Sequence, residues 1–261
     1  MLNNSSFLKG LVIHATDGEL GEVEEFYFDD EAWGIRYLVV RAGGWFNGRQ
    51  VLISPISIAR VDWTARQLHV NLTATQVKNS PGIDTDQPVS RQEEANFSTY
   101  YGYRYYWQGP YLWGNAYRPG DAGETYPKVD TAKLSGDSHL RSSDSVQGYH
   151  VDAKDGEVGH VEGFIIDDEV WNVAYIDVAT RNWLPGKHVL LSPAWIDRVS
   201  WTDSKIYAGM FRDAIQNAPE YALATPITRE YENRLYFHYG RPPYWIRADE
   251  SETPVPVGAQ T

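Results

Sequence analysis

The 261-residue chain contains no cysteine. That excludes a disulfide framework, a thiolate nucleophile and any thiolate metal site, and it leaves the compartment open. No stretch approaches the ~20 consecutive apolar residues that a membrane-spanning helix requires. The first residues, Met1-Leu-Asn-Asn-Ser-Ser-Phe-Leu-Lys9, lack a basic start followed by an apolar run. No signal peptide is therefore expected, and a cytoplasmic location is the default. Basic residues are outnumbered, with 23 Lys and Arg against 35 Asp and Glu, a formal charge of −12 and no Lys/Arg cluster. A field of that sign repels phosphate backbones and argues against a nucleic-acid partner.

Aromatic residues are plentiful, 10 Trp and 18 Tyr among them. With 42% hydrophobic residues the composition is that of a folded chain, long enough for two domains of modest size. The chain also repeats itself. Residues Gly10 to Trp107 align with Gly148 to Trp245 at a constant offset of 138 without a gap, and 35 of the 98 pairs are identical. Thr16-Asp-Gly-Glu-Leu-Gly21 matches Lys154-Asp-Gly-Glu-Val-Gly159, and Val51-Leu-Ile-Ser-Pro55 matches Val189-Leu-Leu-Ser-Pro193. Such a match points to duplication of one folding unit. Four tryptophan pairs recur: Trp33/Trp171, Trp45/Trp183, Trp63/Trp201 and Trp107/Trp245; Trp113 and Trp195 have no counterpart. Matched tryptophans are most simply packing residues of a shared fold.

Each copy opens as a hairpin around Asp17-Gly18 or Asp155-Gly156, a favoured two-residue turn. Further strands are expected at about 35–40, 50–53, 58–63 and 67–72. Six short strands without an intervening helix indicate a small antiparallel barrel or sandwich. Helical material follows: a short helix over Thr73 to Asn79 or Phe211 to Asn217, then a longer one. Ser90-Arg-Gln-Glu93 forms a capping box, Thr228 takes the N-cap position in the second copy, and Gly102 and Gly240 sit at the helix stops. In the second longer helix Tyr231, Leu235 and Tyr239 fall on one face. The expected organisation is a first repeat over 8–107, a linker over 108–147, a second repeat over 146–245 and a disordered tail over 246–261.

The run Gly-x6-Asp-Gly-Glu-x-Gly, the strand Val23-Glu24-Glu25-Phe26, the following Asp-Asp, the Tyr-bearing strand and Val-Leu-Ile-Ser-Pro resemble the PRC-barrel. This small β-barrel occurs in the cytoplasmic part of the photosynthetic reaction-centre H subunit and in a ribosome-maturation factor. The resemblance covers roughly Leu8 to Leu72 and Val146 to Met210. The ending Tyr-Gly-x-x-x-Tyr-Trp at Tyr101 to Trp107 and Tyr239 to Trp245 resembles an accessory of bacterial tandem PRC-barrel proteins. It implies two barrels related by an approximate twofold axis, each followed by helices. It implies no catalytic role. The H subunit has a transmembrane helix and the maturation factor a different N-terminal domain, so neither activity carries over.

No chemical constellation emerges from the residues. His150 and His160 flank the second hairpin. A plain two-residue turn at Asp155-Gly156 places them opposite Val161 and Val151, on opposite faces, which counts against a metal pair. Asp29-Asp30-Glu31 and Asp167-Asp168-Glu169 read as turns that cap their own backbone rather than as a cation loop. Glu24 and Glu162 are a repeated carboxylate beside Phe26 and Phe164, read as structural ion pairs with Arg60/Arg198 or Arg36. Ser54-Pro55 and Ser192-Pro193 lack a nucleophile elbow, and Gly43-Gly44-Trp45 lacks the residues of a phosphate loop. No catalytic, cofactor or metal residue is expected. The expected function is a non-enzymatic interaction or scaffold protein that docks a protein partner or forms a homodimer. Trp45, Trp183, Trp113, Trp195 and Tyr117 are its candidate surface. The alternative is a small-ligand or cation-binding stress-response protein that uses the surface between the barrels.

Overall fold

In a computed structural model, residues 1–43, 49–81, 89–123, 139–180, 187–223 and 225–246 are described. The first half comprises β1 (Leu2–Asn4), β2 (Val12–Ala15), β3 (Gly18–Asp29), β4 (Ile35–Ala42), β5 (Gln50–Ile53), β6 (Ile58–Asp62), β7 (Gln67–Val70), α1 (Ala74–Lys78) and α2 (Arg91–Tyr101). The second comprises β8 (Leu140–Ser142), α3 (Ser143–Val146), β9 (His150–Ala153), β10 (Gly156–Asp167), β11 (Asn172–Thr180), β12 (His188–Leu191), β13 (Ile196–Ser200) and β14 (Lys205–Ala208). It ends with α4 (Arg212–Gln216), β15 (Glu220–Tyr221) and α5 (Arg229–Tyr239). The fold is mainly β, in two sheets ordered β5-β4-β3-β2-β7-β6 and β13-β14-β9-β10-β11-β12-β15. One ladder in each departs from the expected antiparallel pairing: β2 runs parallel to β7, and β9 to β14.

The halves exchange their first strands. β1 pairs with β10 of the second sheet, and β8 pairs with β3 of the first. The registers are equivalent, Leu2 opposite Asp167 and Leu140 opposite Asp29. Hydrogen bonds repeat the pattern: the Phe164 N–H donates to Ser5 Oγ at 3.2 Å, and the Phe26 N–H to Ser143 Oγ at 3.1 Å. The duplicated unit therefore begins at Leu2 and Leu140, and the stretch 108–147 read as a linker ends in a strand and a short helix of the second unit. On the approximate twofold axis the Ile35 N–H donates to the Trp171 carbonyl and the Val173 N–H to the Trp33 carbonyl, both at 2.8 Å. The Phe26 and Phe164 rings meet edge to face there, with centroids 5.7 Å apart.

One apolar core runs through both halves, from Leu8, Phe28 and Leu38 to Phe164, Ile176 and Leu191. The outer face of each sheet is covered as well, by Phe97 of α2 over Tyr37 and by Leu235 of α5 over Tyr175. Burial on both faces is why β4 and β11 read as nearly continuous apolar runs instead of alternating. The repeated Asp-Gly-Glu-x-Gly has a steric cause. A Cβ on Gly21 would lie 2.0 Å from the Arg41 carbonyl oxygen, and one on Gly159 2.0 Å from that of Ala179. Local signals hold at the helices: Thr73 and Ser90 complete capping boxes, Thr228 accepts from the Tyr231 N–H, and Gly102 and Gly240 end α2 and α5 in the left-handed conformation. On α5 the buried stripe is Glu232, Leu235 and Tyr236, while Tyr231 and Tyr239 are half-buried.

Candidate functional site

The expected aromatic surface is largely internal. Trp113 is 1% exposed: its indole N–H donates to the Val170 carbonyl at 2.8 Å and its ring faces the Arg36 guanidinium. The segment that carries it folds back over the first half, which removes Trp113 from any docking surface. Trp195 is also buried, because it packs against Tyr236 and Tyr239 of α5. Tyr117 is 67% exposed and lies against Tyr111. Trp45 and Trp183 lie outside the described residues, as does the tail beyond Ile246.

Other expected partners are replaced by different ones. Glu24 accepts from Arg41 Nε at 2.5 Å and from Gln50 Nε2 at 2.6 Å. Arg36 pairs with Asp29, both buried, at 2.7 Å. His150 and His160 stand directly opposite each other: Gly156 pairs with Ala153, so the two-residue turn is Lys154-Asp155 and not Asp155-Gly156, and a bulge between Glu157 and Gly159 then shifts the register by one residue. Each is satisfied by a carboxylate, Glu157 at 3.2 Å and Glu162 at 3.4 Å. Among the described residues no three His, Asp or Glu side chains converge as metal ligands. The acidic turns do cap backbone: Asp29 accepts from the Ala32 and Gly34 N–H groups, and Asp167 from that of Glu169. Their second carboxylates also tie down the exchanged arms, Asp30 gripping Arg141 and Asp168 accepting from Asn3, and Asp168 also accepts from the indole of Trp63 after β6.

A buried polar cluster occurs twice and was not singled out from the sequence. In the first half Glu94, fully enclosed, takes Arg91 at 2.9 Å, Tyr106 OH at 2.8 Å and Tyr37 OH at 3.4 Å. In the second, Glu232 takes Arg229 at 2.9 Å, Tyr175 OH at 2.7 Å and Tyr244 OH at 3.2 Å. Burial pushes the Glu94 carboxyl up to about 7, against the opposing pull of Arg91, Tyr106 and Arg36. The available signal was identity: all of Arg91, Glu94, Tyr37, Tyr106 and Trp107 recur at the offset of 138.

Two cavities lie between the halves. A pocket of about 480 Å³ sits at the axis beneath Phe26 and Phe164, ringed by Glu24, Glu25, Asp144, Glu162 and Asp177. Asp177 is buried against His188 at 2.8 Å; burial raises its carboxyl, and the histidine opposes the rise. Ser142 Oγ donates to Glu25, whose carboxyl is likewise raised, chiefly by burial. The larger cleft, about 1110 Å³, opens on the other side, between the turn at Ala32 and Trp33 and a wall of Ala174, Pro193, Ile196 and Tyr244. Its wall includes β13, the end strand of the second sheet.

Residues 5–77 match the PRC-barrel domain family. The match covers the first half from the residue after β1 through β7 into α1, and the second half carries the same elements at the constant offset. The chain is also similar to a protein of Deinococcus radiodurans described as "Uncharacterized protein", 32% identical over 94 residues. That alignment takes in 35% of this chain and 34% of the relative, so the chain spans about a third of the relative's length. No helix among the described residues is long and apolar enough to cross a membrane.

Proposed function

We propose that the protein is a non-catalytic interaction protein that docks a protein partner in the 1110 Å³ cleft between its two PRC-type halves. The observation that carries this reading is the composition of that cleft. Both halves contribute to it, its walls are mainly apolar and aromatic, and a sheet-edge strand lies along it, the usual elements of a peptide-accepting groove. Self-association has less support, because Trp113 and Trp195 are used inside the chain and Tyr117 alone of the expected described anchors is free of the core. A second reading, a small ligand or cation, draws on the five carboxylates around the axial pocket, and has less support because Arg41, Lys9, His160 and His188 already pair with four of them.

Site-specific photo-cross-linking from position 174 in the native host tests the docking reading. Cross-links to one recurrent protein, lost when Ala194→Trp narrows the cleft, are the expected result. Cross-links to no protein, or cross-linking unchanged in the narrowed variant, refute it. Calcium titration followed at the His188 ring tests the second reading.

A further inference from the structure

The open cleft has a filled twin. Under the 138-residue offset, the Ala174, Pro193, Ala32 and Tyr244 walls correspond to Arg36, Pro55, Val170 and Tyr106. That equivalent site is covered by the segment 109–122 of the chain itself. The Leu112 carbonyl accepts from Arg36 Nη1 at 2.6 Å, and Trp113 hydrogen-bonds to the Val170 carbonyl. The turn at Pro119–Asp121 packs on that at Pro55–Ser57, and Arg118 reaches Glu169 at 3.1 Å. Ala116 and Ala122 join the core beside Trp113.

Several matching positions in the second half are barer, although Ile196, Val199 and Trp201 are as half-buried as Ile58, Val61 and Trp63. Pro55 is buried but Pro193 is half-buried, Ile56 is half-buried but Ala194 is exposed, and Tyr106 is half-buried but Tyr244 is exposed. The Arg91 side chain is 14% exposed and its twin Arg229 53%, although each holds the equivalent buried glutamate, Glu94 or Glu232. Ala174 in place of Arg36 removes a long side chain from the cleft floor and leaves room for an incoming ring.

The geometry points to the occupant: a turn-forming segment of a partner protein built like residues 111–122, where Tyr111 and Gly114 bridge across a tight turn and Pro119–Asp121 makes a second one, with a tryptophan to enter over Ala174 and a basic residue about five positions later to reach Glu31, the twin of Glu169. The Ala32 carbonyl, twin of the Val170 carbonyl, is placed to accept the indole N–H. Glu31 is exposed at the cleft, as the salt link requires. The chain's own residues 246–261, which follow Trp245 as 108–123 follow Trp107, contain no aromatic residue and three acidic ones. They supply no ring, and their one basic residue, Arg247, stands nine positions ahead of Pro256, the twin of Arg118.

This inference rests on the docking reading and adds the chemistry of the partner. The test is fluorescence anisotropy with a labelled peptide of sequence 109–122, on the full chain and on a chain ending at Ile246. The expected result is equal, saturable binding to both, weakened at least tenfold by a Trp-to-Ala change in the peptide and at least tenfold by Ala194→Trp in the protein. Binding to the shortened chain alone assigns the cleft to residues 247–261 and overturns the external partner. Absent binding to either, or equal binding of the Trp-to-Ala peptide, overturns the chemistry. A cross-linked partner segment lacking an aromatic side chain sinks this inference and leaves the docking reading standing, whereas the absence of any cross-link sinks both.

Discussion

Phe26→Ala is the change that most directly tests whether the exchanged strands make the two halves one cooperative body. Phe26 is 2% exposed and its ring meets Phe164, itself 1% exposed, across the axis at 5.7 Å. Deleting a buried phenylalanine ring costs about 3–5 kcal/mol, and the edge-to-face pair accounts for roughly 0.5–1.5 kcal/mol of that. For a chain of this length each kcal/mol lowers Tm by roughly 2–4 °C, so a fall of about 6–20 °C is expected. The distribution of the loss decides the matter. β10 is zipped to β1, and β3 to β8, so neither sheet opens without releasing a strand that belongs to the other half. Hydrogen exchange should therefore show β10 and β11 amides losing protection as much as those of β3 and β4. The double variant with Phe164→Ala should fall short of additivity by about 0.5–1.5 kcal/mol. Two separate unfolding transitions, or unchanged protection in the second half, would refute the coupling.

Other expectations are as specific. Glu94 is protonated more readily in the folded chain than in the unfolded one, so its contribution to stability is full below the ordinary carboxyl pKa and lost as pH rises through about 7. Glu94→Gln should remove up to about 3 kcal/mol of pH dependence between pH 5 and 8, read from urea midpoints; an unchanged slope counts against the assignment. Gly159→Ala forces a methyl onto the Ala179 carbonyl and should cost at least about 1–3 kcal/mol, as should Gly21→Ala against Arg41; a neutral melting curve for either disproves the close approach. Trp113→Ala should cost about 3–5 kcal/mol, with protease cutting first within 109–122, and equal resistance to cutting would show that the segment is held by something else.

What was legible in the sequence was local or periodic. The capping box at Ser90 and the glycine stops at Gly102 and Gly240 depend on a few neighbouring residues, and each is found in place; the hairpins form too, but their two-residue turns are Thr16-Asp17 and Lys154-Asp155, one residue ahead of Asp-Gly. The gapless offset made the pseudo-twofold arrangement readable too. The exchanged arms were not: β1 and β8 are three residues long, and Leu2-Asn-Asn and Leu140-Arg-Ser share one residue, too little to extend the repeat past Gly10 and Gly148. The histidine register failed because the turn falls at Lys154-Asp155, one residue earlier than Asp155-Gly156, and a bulge then leaves Val158 without a counterpart, which a buried valine in a strand does not mark. Trp113 was misplaced for a different reason. A segment rich in Gly and Pro has no periodicity to show which face it buries, so its contacts with Arg36 and Val170 are visible only in three dimensions.

The two halves share a scaffold but differ in how its surface is completed, and Arg36 explains the difference. An enclosed guanidinium is tolerable only when its charge and its donors are met. Asp29 supplies the charge, the Leu112 carbonyl takes a donor, and the faces of Tyr106 and Trp113 take the cation. Two of these four partners belong to the covering segment, so Arg36 and that segment require each other. At Ala174 neither requirement exists, and among the described residues no equivalent segment covers that surface of the second half. Tyr244 and Arg229 stay organised there around Glu232, whose hydrogen bonds do not depend on a cover. The duplicated glutamate cluster thus holds α2 and α5 on their sheets in both copies, while the difference between Arg36 and Ala174 separates a site closed by the segment 109–122 from one that no equivalent segment among the described residues closes.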